Sequence, residues 1–324
     1  MKSLRFVVSL TTSDNDYQLE QANVARQAAN RSKLTIEILY AENDAIQQSQ
    51  QLLKTIQTKT TRPPDGIVFE PVGGTALPHV ARAAAAAGIA CVVLNREADY
   101  LAELHREFHI PAFSISSDHT EIGRIQGRQL AALLPAGGTV LLIQGPAESL
   151  AAKQRTAGMY ETKPIGVQVK IMKGNWTEAS AQKAIASWMK LPTSQENELD
   201  VVAAQNDAMA IGARKAFQQI AGAAVGHKYL RLPFLGIDGL PATGQAWVNG
   251  GLLSATVVVP LNADRAVELL AHALRTGAKL AENTFTAAAS SPPLEELAKK
   301  SPQSQPTPKN QSRRNLAKAI TQSF

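Results

Sequence analysis

An α/β fold with parallel sheets is predicted by three features of the sequence. Short apolar runs of strand length alternate with helical segments along most of the chain. Many of these runs are rich in β-branched residues and stop abruptly at polar side chains, as the run 89–94 stops at Asn95 and Arg96. The alternation occurs twice, in about five units and then about four, so two sheets are expected rather than one long one.

A strand is predicted over 4–10, followed by a polar loop in which Asp16 is placed to cap a helix over 17–30. A second strand follows at 34–39. The helix after it, 44–59, is expected to turn Ile46, Leu52, Leu53 and Ile56 to one face. The turn Arg62-Pro-Pro-Asp-Gly66 leads into a strand at 67–69 that ends at Glu70. Gly73, Gly74 and Thr75 open an Ala-rich helix reaching Gly88, and the run 89–94 follows. Residues 99–112 break the rhythm, which restarts with a strand at 113–117 and a long helix from Asp118 to Leu134. Strands at 139–143, 167–172, 199–204, 232–237 and 253–259 then alternate with helices at 147–160, 177–190, 207–220, 241–249 and 262–275. A weak last strand is expected at 284–287. Beyond it, 288–324 is rich in Pro, Ser, Gln and Lys and is expected to be a mostly disordered basic tail. Such a segment cannot bury enough apolar area to offset its ordering entropy.

The chain has 324 residues, 44% hydrophobic and 19% charged, enough for one large or two medium globular domains. The net charge of +6 favours anionic partners only weakly, because part of it lies in the tail. A single cysteine, Cys91, excludes an intramolecular disulfide, and its place in an apolar strand marks a buried packing thiol. No apolar run approaches the ~18 residues a membrane span needs, and no secretory signal is visible at the N-terminus. His105 and His109 have helical spacing, but a zinc-protease motif needs Glu directly after the first His, and here it is Glu107. There is no Gly-rich phosphate loop, dinucleotide fingerprint or nucleophile elbow. No cofactor, metal or specific nucleic-acid partner is therefore expected.

In open parallel sheets, ligands bind beyond the carboxyl ends of the strands. The polar residues where the apolar runs stop are Ser9, Glu70, Asn95, Arg96, Gln144, Asn206, Asp207 and Asp238. Asp14, Asn15, Asp16 and Tyr17 join them from the first loop, with Arg155 from the helix after Gln144 and Trp176 from the loop after 167–172. This set suits a polyol. Carboxylates and amides meet hydroxyls, guanidinium groups supply forked donors, and aromatic rings stack on the apolar face of a sugar. Each residue taken alone could instead cap the next helix. Asp207 with Asp238 could also be read as a glycosidase pair.

The order of several short segments resembles the type I periplasmic sugar-binding proteins of the ribose- and galactose-binding branch, which share a fold with LacI-type effector cores. The segments are Tyr40-Ala-Glu-Asn-Asp44, Asp65-Gly-Ile-Val-Phe-Glu-Pro71, Ala87-Gly-Ile-Ala-Cys-Val-Val-Leu-Asn-Arg96 and Ser117-Asp118. Ala151-Ala-Lys-Gln-Arg155, Ala204-Gln-Asn-Asp-Ala-Met-Ala210 and Gly236-Ile-Asp-Gly239 complete the set. The resemblance covers about residues 3–280. It implies two Rossmann-like lobes, 1–113 with 260–285 and 114–259, joined by crossovers near 112–118, 236–240 and 258–262. It implies a sugar held between lobes that close on it. The ligand residues would be Ser9, Asp16, Tyr17, Glu70, Asn95, Arg96, Arg155, Trp176, Asn206 and Asp238.

The chain departs from the family at Asn95, where Asp is usual, at Glu70, where Asn is common, and at Val258-Val259, where an amide is usual. The resemblance implies a monomeric binding protein of the periplasm or cell envelope, serving an ABC permease or a membrane sensor. A cytoplasmic LacI-like regulatory core is the rival reading, favoured by the absent signal peptide and opposed by the absence of a helix-turn-helix before the first strand. A sugar-processing enzyme is the third, and would require turnover.

Overall fold

The computed structural model describes residues 3–58, 62–73, 76–191, 198–220 and 228–300. They form two compact units. Unit 1 runs from the N-terminus to Asp118 and adds Glu148–Leu150 and Pro260–Ala287. Unit 2 comprises His119–Ala147, Ala151–Val259 and the chain from Ala288. Apart from the excursion at 148–150, the chain passes between the units after Asp118, Val259 and Ala287. The crossover expected near 236–240 lies inside unit 2. That segment is tied into the unit's own sheet, Gly236 N donating to Ala255 O (3.0 Å) and Asp238 N to Val257 O (2.9 Å).

Unit 1 is a parallel sheet. Its strands are β1 (Arg5–Leu10), β2 (Thr35–Tyr40), β3 (Gly66–Phe69), β4 (Ala90–Leu94), β5 (Ala112–Ser117) and a late strand, Asn283–Thr286. The spatial order is the late strand, β5, β4, β3, β1, β2. Helices α1 (Asp16–Arg31), α2 (Ala45–Gln57), α3 (Pro78–Ala86) and α4 (Leu101–Phe108) make the crossovers. Alternating strand residues feed two cores. Phe6, Val8 and Leu10 pack with Ala22, Ala25 and Ala29 of α1 and with Val267 and Leu270 of a helix over Ala263–Thr276. Val7, Cys91 and Val93 face α2, α3 and α4. Alanines at α1 positions 22, 25 and 29 let that helix sit close to the sheet.

Three local expectations change. Residues 99–112 keep the rhythm, because Leu101 and Leu104 of α4 are fully buried and make it the crossover into β5. On α2 the inward face is Gln48, Leu52 and Ile56, spaced by four, and Ile46 is 70% exposed because it lies well round the helix from that stripe. The cap of α1 is Asn15, whose side chain accepts from Gln18 N, and Asp16 is the first helical residue.

Unit 2 carries β6 (Gly138–Gln144), β7 (Val167–Lys173), β8 (Val201–Ala204) and β9 (Phe234–Leu235), in the order β7-β6-β8-β9. Parallel bridges Leu235–Ala255 and Asp238–Val258 extend it to β10 (Thr256–Val258). The late strand of unit 1 becomes β11 in chain order, and β12 (Ala289–Ser291) pairs antiparallel with β10. A helix over Leu294–Lys299 follows, with Leu297 fully buried. The expectation of disorder from 288 is therefore corrected for 289–299, where strand pairing and Leu297 supply the burial that composition concealed. Residues 301–324 lie outside the described residues. Among the described residues, no helix is long and apolar enough to cross a membrane.

Helices α5 (His119–Leu133) and α6 (Leu150–Thr162) touch backbone to backbone. A Cβ at Gly123 would lie 2.0 Å from Arg155 O, and one at Gly158 would lie 1.9 Å from Thr120 O. Neither position can accept a side chain unless the helices separate. We expect Gly158→Ala to lower unit 2 stability by about 1–3 kcal/mol, the usual cost of overpacking, measured by chemical denaturation. The Cys91 thiol is pushed up to about 12 by burial. It should resist alkylation in the native protein at pH 8 and react once the chain is unfolded.

Candidate functional site

Each unit presents polar side chains where its parallel strands end. In unit 1, Glu70 follows β3 and Asn95 follows β4. Glu70 Oε2 accepts from Asn95 Nδ2 (2.8 Å) and from Gln18 Nε2 of α1 (2.9 Å). Asn95 Oδ1 in turn accepts from Asn262 Nδ2 (3.0 Å). Arg96 donates to Gly73 O (3.0 Å). Its guanidinium is shifted below its ordinary value by burial, against the opposing pull of Tyr100 and Glu70. Arg96 is thus half-buried and held against its own unit.

In unit 2, α7 (Glu178–Trp188) and the next helix, α8 (Asp207–Ile220), start just beyond the edge. Arg155 lies on α6, buried, with Nη1 donating to Gln205 O (2.5 Å) and Nε to His119 Nδ1 (3.4 Å). Its guanidinium carbon stands 5.6 Å from the centroid of Trp176, a cation–π distance. The indole lies on Gly145, where a Cβ would come within 2.4 Å of the ring. Asn206 donates to Trp176 O (2.8 Å) and accepts from Met209 N (2.9 Å). It therefore both caps α8 and holds the tryptophan loop. Asp207 accepts from Gly239 N (2.7 Å) and Thr256 Oγ1 (2.7 Å) and so fixes the Asp238 segment from inside.

Three of these strand-end residues adopt backbone conformations that L residues rarely hold. Asn95 has φ +57°, Trp176 +62° and Asp238 +115°. Asparagine tolerates the left-handed region, but a tryptophan there, and an aspartate at +115°, are strained. Such strain persists where the surrounding structure over-determines it, and it concentrates at functional sites.

The periplasmic binding protein domain family matches this sequence over residues 6–279. The chain belongs to this family. A protein of Rhizobium meliloti assigned to rhizopine binding is 30% identical over 188 residues, 56% of this chain and 57% of that one. The D-ribose/D-allose-binding protein of Pseudomonas aeruginosa is 29% identical over 220 residues, 67% of this chain and 64% of its own length. The chain thus spans less than two thirds of both relatives. The binding-protein component of the arabinose ABC transporter from Shewanella sp. ANA-3, solved with α- and β-L-arabinofuranose, has a TM-score of 0.76 at 20% identity, covering 98% of both chains. That likeness carries the fold.

Within this family member, the structure groups Glu70, Asn95 and Arg96 in unit 1, and Arg155, Trp176 and Asn206 in unit 2, with Asp238 at the end of the segment that Asp207 pins. Three expected ligand residues are placed differently. Ser9 is fully buried and accepts from Gln48 Nε2 (3.1 Å), so it supports the edge from beneath. Tyr17 is buried and its hydroxyl donates to Pro260 O (2.8 Å), which engages its polar end within unit 1. Asp16 is exposed on the first turn of α1.

Sequence reasoning passed over Gln18, Gln48, Gln205 and Asn262. Gln48 bonds Ser9, Glu70 O (2.8 Å) and Val72 N (2.8 Å). Gln205 bonds Gly145 N (3.0 Å), Ala152 O (3.0 Å) and Thr156 Oγ1 (2.9 Å). The only available signal was a glutamine on the apolar stripe of α2, in register with Leu52 and Ile56.

If Asp238 is held under strain, removing its Cβ releases that strain. Asp238→Gly should exceed Asp238→Ala in stability by about 1 kcal/mol or more, because both lose the carboxylate and only glycine accepts φ +115° without strain. Parallel denaturant melts of the two variants measure this.

Proposed function

We propose that this chain is a non-catalytic solute-binding protein that captures a monosaccharide or closely related polyol with polar groups at its strand ends. The observation that carries the reading is the strained geometry of Asn95, Trp176 and Asp238, each at the end of a parallel strand or in the loop that follows one. Around them stand carboxylate, amide and guanidinium groups and an indole, the groups that bind a sugar's hydroxyls and apolar face. Relatives named for ribose, allose and arabinofuranose support this ligand class. Binding by desolvation of these groups needs no nucleophile and no metal. The partner for this function is an ABC permease or membrane sensor that reads the ligand-bound form, in the periplasm or cell envelope, with the binding protein a monomer.

Thermal unfolding against pentoses, hexoses and polyols, D-ribose, D-allose, L-arabinose and myo-inositol among them, tests the proposal. A sugar at 100 times its Kd should add about 2.7 kcal/mol of stability. Stabilisation by no member of the panel would overturn the reading. With the stabilising sugar, Trp176→Ala should weaken affinity about tenfold or more through loss of the stacking surface, as read by calorimetric titration. Unchanged affinity would remove Trp176 from the contact.

A further inference from the structure

One line of hydrogen bonds in unit 1 runs from three points of chain crossing to the candidate ligand residues. Ser117, Asn262 and Thr286 lie beside the crossings after Asp118, Val259 and Ala287. Thr286 Oγ1 donates to Asn262 Oδ1 (3.0 Å), and its contact to Ser116 O is longer (3.5 Å). With that proton committed, the Ser117 hydroxyl, 2.8 Å away, is the donor to Thr286 Oγ1. Asn262 Nδ2 donates to Asn95 Oδ1 (3.0 Å), and Asn95 Nδ2 donates to Glu70 Oε2 (2.8 Å).

Every step in this line runs the same way. The acceptor-only carboxylate fixes which end of the Asn95 amide faces Glu70, and the threonine hydroxyl fixes which end of Asn262 faces Asn95. Asn262 is fully buried, and its backbone N–H and that of Ala263 both donate to Gln21 Oε1 (3.1 and 2.9 Å), so it has little freedom to turn away.

We propose that Asn262 and Thr286 are positioning residues for the ligand: they set the donor–acceptor polarity of Asn95 beside Glu70 and join that pair to the crossing segments. The inference rests on the sugar-binding reading given above. It makes Thr286, half-buried on the edge strand β11, a determinant of affinity without itself meeting the sugar. It also requires an amide at position 95, since a carboxylate there would set two acceptors against each other.

The test measures the affinity of wild type, Thr286→Val and Thr286→Ser for whichever of D-ribose, D-allose, L-arabinose or myo-inositol stabilises the wild type most. Apo melting midpoints are recorded for each. Loss of one hydrogen bond from the line should weaken Thr286→Val about five- to tenfold, and Thr286→Ser should restore wild-type affinity. A purely structural role would lower the apo midpoint and leave affinity unchanged. If Thr286→Val loses apo stability, Asn262→Ala is read in the same way. Wild-type affinity in Thr286→Val, or equal loss in Thr286→Ser, would overturn the inference while leaving the sugar-binding proposal standing. No stabilisation of the wild type by any of these sugars would overturn both.

Discussion

The hydrogen bond from Asn95 Nδ2 to Glu70 Oε2 is the interaction on which the unit 1 edge depends. It joins the ends of two neighbouring parallel strands at the point where backbone pairing stops. Glu70 also takes the Gln18 amide, and Asn95 accepts from Asn262, so the first turn of α1, the ends of β3 and β4 and the return of the chain at 260–263 share one polar centre. Leaving one of these buried or half-buried groups without its partner would cost more than any single bond contributes, which couples their positions.

Unit 2 solves the same problem with different chemistry. Gln205 ties β6 to α6 and carries the Arg155 guanidinium on its carbonyl, while Asp207 pins Gly239 and Thr256. These buried groups are the supports. Arg155, Trp176 and Asp238 are what they position. The close approach of α5 and α6 at Gly123 and Gly158 sets the backbone position of Arg155, whose carbonyl lies against Gly123.

Most of the fold was legible because parallel strands buried on both faces read as short apolar runs, and the helices between them carry alanine stripes. The α4 crossover and the 289–299 segment were missed. Leu101 and Leu104 form too short a stripe to declare a helix, and Leu297 lies among Pro and Lys, where composition argues for solvent. The crossover placed at 236–240 failed because strand pairing with 255–258 depends on contacts the local sequence does not reveal. At the candidate site, the strand-end rule names Glu70, Asn95, Arg96, Arg155, Trp176, Asn206 and Asp238 as the proposed ligand groups. It could not separate Ser9, a buried support, from a residue at the surface of the edge, since both stand at a strand end. Nor could it single out Asn262 or Thr286, whose hydrogen bonds to Asn95 and Ser117 reach more than a hundred positions away in sequence.

The sugar-binding proposal rests on the polar groups at the strand ends of each unit. Hydrogen exchange, followed peptide by peptide with and without the stabilising sugar, tests it most directly. Added protection is expected in the peptides containing Glu70 and Asn95–Arg96 and, in the same experiment, in those containing Trp176, Asn206 and Asp238. Protection confined to one unit, or changes that avoid both strand edges, would contradict it.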